Sequence, residues 1–116
     1  MSIEVKIEFS KEFQELGDAI KKIIQEEIYR AALQTQNKAR QIAPIDTGNL
    51  RRTIQATGWE DVKKDMIFHV QAKAEYAGYV EFGTVKMKAR PYLMPSAEDS
   101  LKDFAERVTR RINGGG

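Results

Sequence analysis

Between Phe13 and Ile42 the apolar residues Phe13, Leu16, Ile20, Ile23, Ile24, Ile28, Ala31, Ala32, Ala39 and Ile42 recur mostly three or four positions apart. That spacing gathers them on one stripe of an amphipathic α-helix. In a chain of 116 residues so long a helix must bury its stripe against most of what remains, and it sets the layer on which the rest packs. Gly17 is a candidate break near its start. Pro44 closes it, because the residue before a proline is pushed out of helical geometry.

The flanking segments read as smaller pieces. Ile3, Val5, Ile7 and Phe9 alternate with polar residues, the period of a strand with one buried face. Ser10 is placed to cap a helix, with Glu12 in its first turn. After Pro44, Gly48 frees the turn, and Asp46 or Thr47 caps a short helix through "GNLRR". Thr53 to Trp59 and Met66 to Ala72 read as strands joined by "EDVKKD" as a polar hairpin connection. "AEYAGYVEFGT" reads as a short helix or turn stopping at Gly83, and "TVKMKARPYLM" as a long exposed loop. From Pro95 onward Ala97, Leu101, Phe104, Ala105, Val108 and Ile112 return to helical spacing, with Ser96 and Asp99 as a capping pair. The expected fold is α+β. A long amphipathic helix and a C-terminal helix pack on a small antiparallel sheet, in a single domain over residues 1–113 with a flexible glycine tail at 114–116.

Composition narrows the chemistry. Hydrophobic residues are 41% and charged residues 31%, the balance of a folded chain. The absence of cysteine removes disulfides, thiolate nucleophiles and zinc-thiolate sites. No apolar run is long enough for a membrane span, and the alternating N-terminus does not resemble a signal peptide, so cytoplasmic synthesis and folding are expected. The net charge of +2 is localised: residues 1–40, 41–75 and 96–116 are each balanced, whereas 76–95 hold Lys86, Lys88 and Arg90 against Glu81 alone. The whole excess sits in "GTVKMKARP".

Asp46-Thr47-Gly48 is the tripeptide that carries the catalytic carboxylate in aspartic proteases. There it needs a strand leading into a tight loop, so that two carboxylates meet and share a proton. Here the chain enters from a helix and a proline, Asn49 follows where a small Ser or Ala is expected, and no Gly-rich flap succeeds it. Asp46 is read as a cap. His69 is the single histidine and lies in an expected strand, without a second metal ligand or a triad partner. Ser10, Ser96 and Ser100 fall near helix starts, and the isolated Gly78 and Gly83 make no phosphate loop. No catalytic, cofactor or metal site is expected, and no small-molecule substrate.

Tyr76, Tyr79, Phe82 and Tyr92 lie beside Lys86, Lys88 and Arg90, a grouping that stacks bases and meets phosphates in some nucleic-acid-binding modules. The preferred reading is that Tyr79 and Phe82 pack in the core. A long loop without structure of its own is nevertheless uncommon in a small domain unless it has work to do.

Three blocks, "APIDTGNLRRTI", "AEYAGYVEFGT" and "ARPYLMPSAEDS", occur in that order, and together the chain resembles the tail-component family of long-tailed bacteriophages and prophages. The first block supplies Pro44, Asp46, Thr47, Gly48, Leu50 and Arg51; the second Tyr76, Ala77, Val80, Glu81, Phe82, Gly83 and Thr84; the third Arg90, Pro91, Tyr92, Leu93, Pro95 and Ala97. Tyr92 stands where the family more often has Phe, so its added hydroxyl needs water or a partner, and Ser96 is inserted before Ala97.

The resemblance implies a non-enzymatic structural subunit of the neck or head-proximal tail, assembled in the host cytoplasm into a ring around the DNA channel. Its partners would be further copies of itself, neighbouring neck or tail proteins, and DNA through non-specific contact. The alternative is a small nucleic-acid-binding module using the basic loop. In the assembly reading the loop Gly83, Thr84, Lys86, Lys88, Arg90 and Pro91 meets a neighbour, with Pro91 and Pro95 fixing its return. Glu26 and Glu27 on the long helix offer the complementary acidic face, and Glu81 holds the loop base through Arg51, Arg52 or Arg90.

Overall fold

The apolar stripe forms two helices, α1 (Lys11–Gln14) and α2 (Asp18–Ile42), divided at Gly17, which is the N-cap of α2. They belong to a computed structural model that describes residues 1–44 and 48–114. The cap expected at Asp46 or Thr47 lies outside the described residues, as does the end of the expected glycine tail. α2 ends at Ile42, before Pro44, as the proline dictates. Its buried residues include Ile24, Ile28, Ala31, Ala32 and Ala39, whereas Phe13, Ile20 and Ile42 at the extremities of the stripe are exposed.

Beneath α2 lies an antiparallel sheet of three strands, β1 (Ile3–Glu8), β2 (Ile54–Ala56) and β3 (Ile67–Ala72), in the order β1-β3-β2. β1 pairs with β3 from Ile3 opposite Ala72 to Glu8 opposite Ile67, and β2 with β3 from Ile54 opposite Ala72 to Ala56 opposite Val70. Alternation along β3 buries Phe68, Val70 and Ala72 in one core with Ile28, Leu50, Ile54 and Leu93. Burying a side chain such as Phe68 contributes about 1.5–3 kcal/mol. His69, on the other face, meets Glu4 Oε2 at 2.7 Å across the β1–β3 pair.

The short helix after Pro44 is α3 (Gly48–Thr53), as read from the sequence. The expected hairpin connection is instead a helix, α4 (Trp59–Asp65), so the second strand stops at Ala56. The reason is visible in the residues. Val62 and Met66 are buried four apart, Glu60 and Asp61 occupy the first turn and Lys63 and Lys64 the last, each charge complementing the helix dipole.

α5 (Ala77–Phe82) ends at Gly83 as expected. The C-terminal helix α6 begins two residues before Pro95, spanning Leu93–Asn113. It runs antiparallel to α2: Lys38 faces Asp99, Gln34 bonds Asp103, and Glu27 bonds Arg107 and Arg111 in succession along the seam. The fold is thus the expected α+β arrangement, with the α2–α6 pair laid over the sheet.

Candidate assembly surface

The second and third sequence blocks come together in space as α5, the connecting loop and the first turn of α6. Ala77, Val80 and Glu81 point inward from α5, and Tyr92, Leu93, Ser96 and Ala97 from the start of α6. Tyr92 is fully buried, and its hydroxyl donates to the Ala77 carbonyl at 3.0 Å, so of water and a protein partner it takes the second. Burial, then the negative charge of Glu81 and the neighbouring Tyr76, drives its pKa upward, so the phenol remains a donor.

Glu81 is the hinge pin of this unit. Only 2% exposed, it accepts the backbone N–H groups of Tyr92 and Leu93 on Oε1 at 3.1 and 2.8 Å, and that of Met94 on Oε2 at 3.1 Å. A helix leaves its first four N–H groups without internal partners. In α6 three of these are met by Glu81, and the fourth position is Pro95, which has none. Ser96, expected as a cap, lies inside the helix and donates from Oγ to the Tyr92 carbonyl at 2.6 Å. The expected bonds from Glu81 to Arg51 and Arg52 do not form. Arg51 clamps the Ala43 carbonyl through Nε and Nη2 at 3.1 and 2.8 Å, tying α3 to the end of α2, and Arg52 bonds Asn49.

Between Glu81 and Tyr92 the basic loop folds on itself. Thr84 and Met87 exchange backbone hydrogen bonds at 2.8 and 3.3 Å, the Thr84 hydroxyl accepts from the amides of Lys86 and Met87, and the Arg90 amide returns to the Val80 carbonyl at 2.8 Å. Gly83 permits this closure: its φ is +78°, and a Cβ there would meet the Ala89 nitrogen at 2.7 Å and the Met87 oxygen at 2.8 Å. The loop is therefore a closed turn on a fixed base. What it presents is apolar as well as basic. Val85 is 105% exposed, Phe82 62% and Tyr79 49%; Met94 in the first turn of α6 is exposed too, as are Lys86 and Lys88 in the loop.

The expectation that Tyr79 and Phe82 pack in the core is thus overturned. The inward side of a six-residue helix is already filled by Ala77, Val80 and Glu81, and residues 79 and 82 turn the other way. The acidic face expected at Glu26 and Glu27 is also corrected. Glu27 is fully buried, held by Arg107 Nε at 2.6 Å and Arg111 Nη1 at 3.0 Å with Arg30 at 3.6 Å, and Glu26 is paired with Arg111. Burial pulls the Glu27 pKa up, but the bonds from Arg107 and Arg111 and the charge of Arg30 outweigh it and hold the carboxyl below its ordinary value. These two glutamates fasten α6 to α2.

A family model described as "Bacteriophage HK97-gp10, putative tail-component" matches residues 7–83. The chain belongs to that family. The matched span contains the first sequence block and the second as far as Gly83, the glycine on which the loop turns; the rest of the loop and α6 follow it. No curated protein and no solved structure matches the chain. As a member of a tail-component family the chain is a bacteriophage structural protein, and among its described residues no helix is long and apolar enough to cross a membrane. Nor do any three His, Asp or Glu side chains among those residues gather in a way that could hold a metal ion.

Proposed function

We propose that the chain is a non-enzymatic structural subunit of the phage neck or head-proximal tail, joined to its neighbours through the end of the molecule formed by α5, the 83–91 loop and the start of α6. The observation that supports this reading is the exposure of Tyr79 and Phe82 on α5, Val85, Lys86 and Lys88 in the loop and Met94 in the first turn of α6, on elements whose junction Glu81 fixes. Apolar side chains held outward on a rigid support lose little entropy when covered, which favours a protein contact. Assembly takes place in the host cytoplasm and the subunit is then carried in the virion. The test is removal of the chain from a phage that encodes it. Electron microscopy is expected to show separate heads and tails or incomplete tails; normally joined, infectious particles would overturn the proposal.

The exposure of Tyr79 and Phe82 beside two lysines also favours a second reading, contact with nucleic acid by stacking. Lys86, Lys88 and Arg90 are few cations for a phosphate-binding surface, and Val85 gains nothing from a phosphate backbone. DNA binding that falls steeply with salt and vanishes in Lys86→Ala/Lys88→Ala/Arg90→Ala would favour this second reading.

A further inference from the structure

β1 is an outer strand of the sheet, with β3 on one side and, among the described residues, no strand on the other. The Phe9 amide donates to the Met66 carbonyl at 3.2 Å, which continues the β1–β3 register. Antiparallel bonding alternates along a strand. Ile7, Val5 and Ile3 therefore turn their backbone groups toward β3, as Phe9 does, and Glu4, Lys6 and Glu8 turn theirs outward. The apolar cover stops along the same line. Phe68, Val70 and Ala72 on β3 are fully buried, but of the residues opposite them Ile3 and Val5 are half-buried and Ile7 is 36% exposed. An outward row of N–H and C=O groups beside a half-covered apolar row is a template for one more strand.

The residues of β1 select that strand. Only registers that set even positions opposite even ones let the outward groups bond. Two antiparallel copies centred on Lys6 set lysine against lysine and Glu4 against Glu8, and centring on Glu4 brings two Glu4 carboxylates together. Centring on Ile7 opposes Lys6 to Glu8 but carries Ile3 and Glu4 past the end of the partner strand. Centring on Val5 sets Glu4 opposite Lys6 twice, Ile3 opposite Ile7 twice, Val5 opposite itself and Glu8 opposite Ser2. Charged and apolar faces then match along the whole strand. The pairs within one chain leave room for this. Lys6 Nζ lies 3.4 Å from Glu8 Oε1 and Glu4 Oε2 lies 2.7 Å from His69 Nε2, so the ammonium keeps further donors and Glu4 its other oxygen.

We propose that β1 pairs with β1 of a second copy, antiparallel about Val5, joining two three-stranded sheets into one of six strands. The contact uses the same patch on both copies, so it closes at two and cannot propagate into a ring. It involves no residue of the loop surface and does not rest on the tail reading.

Sedimentation of the wild type over a concentration series up to the millimolar range should show monomer and dimer and nothing larger. Glu4→Lys and Lys6→Glu each bring like charges together and should each weaken the dimer at least about tenfold. An equimolar mixture of the two, in which each cross-strand pair is again opposite, should regain wild-type association. Lys6→Pro tests the backbone: the N–H it removes faces outward, where an edge strand tolerates proline, so the fold should persist and the dimer vanish. Circular dichroism and melting of each variant confirm the fold. The chain has no cysteine, so under mild oxidation Val5→Cys should give a covalent dimer much faster than Glu8→Cys, whose two copies would lie far apart. A wild type that stays monomeric, a mixture no better than its parts, or equal cross-linking of the two cysteine variants overturns the contact. Self-association that Lys6→Pro leaves unchanged belongs to another surface and overturns it equally. The particle-assembly experiment reads the tail role separately.

Discussion

Two buried carboxylates, Glu27 and Glu81, are satisfied in different ways. Glu27 meets guanidinium groups that reach it from α6 and remain partly in contact with water, Arg107 at 19% and Arg111 at 33% side-chain exposure. Glu81 meets backbone amides, two of them belonging to fully buried residues. Arg111, the more exposed of the two, can turn toward solvent if it loses its carboxylate, but the amides of Tyr92 and Leu93 have nowhere to turn. The first arrangement fastens two long helices and tolerates adjustment; the second fixes a short stretch of backbone and does not.

The largest effect is therefore expected at Glu81. Glu81→Ala leaves three amides without an acceptor, and at about 1–3 kcal/mol for each buried unsatisfied group the loss should approach 4 kcal/mol. Glu81→Gln keeps one acceptor oxygen and should lose roughly half as much. Denaturant titration measures the totals. Hydrogen exchange of the Tyr92, Leu93 and Met94 amides should accelerate first, and a uniform increase across α6 would contradict the local role.

Gly83→Ala comes next, because it strikes the same unit through the backbone. Its conformation, φ +78° with ψ 175°, is one that residues with a Cβ rarely enter, and the added carbon would press on backbone atoms of Met87 and Ala89. A loss of about 2–3 kcal/mol is expected, with exchange protection lost across residues 84–90. An unchanged melting profile would show that the closed turn contributes little.

The legibility of these regions in the sequence differs for the same physical reason. Elements whose signal is periodic and local, β1, α2, β3 and α5, were readable from spacing, and Gly17 and Pro44 marked the ends of α2 correctly. α4 was misread because "EDVKKD" is mostly polar, although its acidic start, basic end and inward Val62 were a helix signature. The start of α6 was placed too late because its cap comes from a carboxylate eleven to thirteen residues earlier, beyond any local pattern. The basic loop was found by counting charge, but its exposed apolar partners were not: Tyr79 and Phe82 look like core residues until α5 shows which side is already filled.

At Glu27 the expected loss is smaller than at Glu81, about 2 kcal/mol for Glu27→Ala, below the 3–5 kcal/mol of a fully enclosed pair because Arg111 retains access to water and Arg107 keeps its bond to Gln34. It also carries a pH signature. The folded-state pKa lies below the ordinary value of 4.5, so the stabilisation is complete above that value and is lost as pH falls through the folded-state pKa. The stability difference between wild type and Glu27→Gln should therefore hold constant from neutral pH to about 5 and shrink in stronger acid. A difference that widens on acidification would mean that Glu27 is not charged in the folded chain.

The smallest effect on the isolated fold is expected where the largest effect on assembly is proposed. Lys86→Ala/Lys88→Ala removes two exposed side chains at a turn closed by backbone bonds and by the Thr84 hydroxyl, neither of which involves the lysine ammonium groups. Stability should change by no more than about 0.5 kcal/mol. The same double change should reduce the yield of joined particles. If instead it lowers the melting temperature as Glu81→Ala does, the loop is part of the fold's support. If it leaves both stability and particle yield unchanged, the charge concentrated between residues 76 and 95 has no part in assembly, and the apolar groups alone would have to account for it.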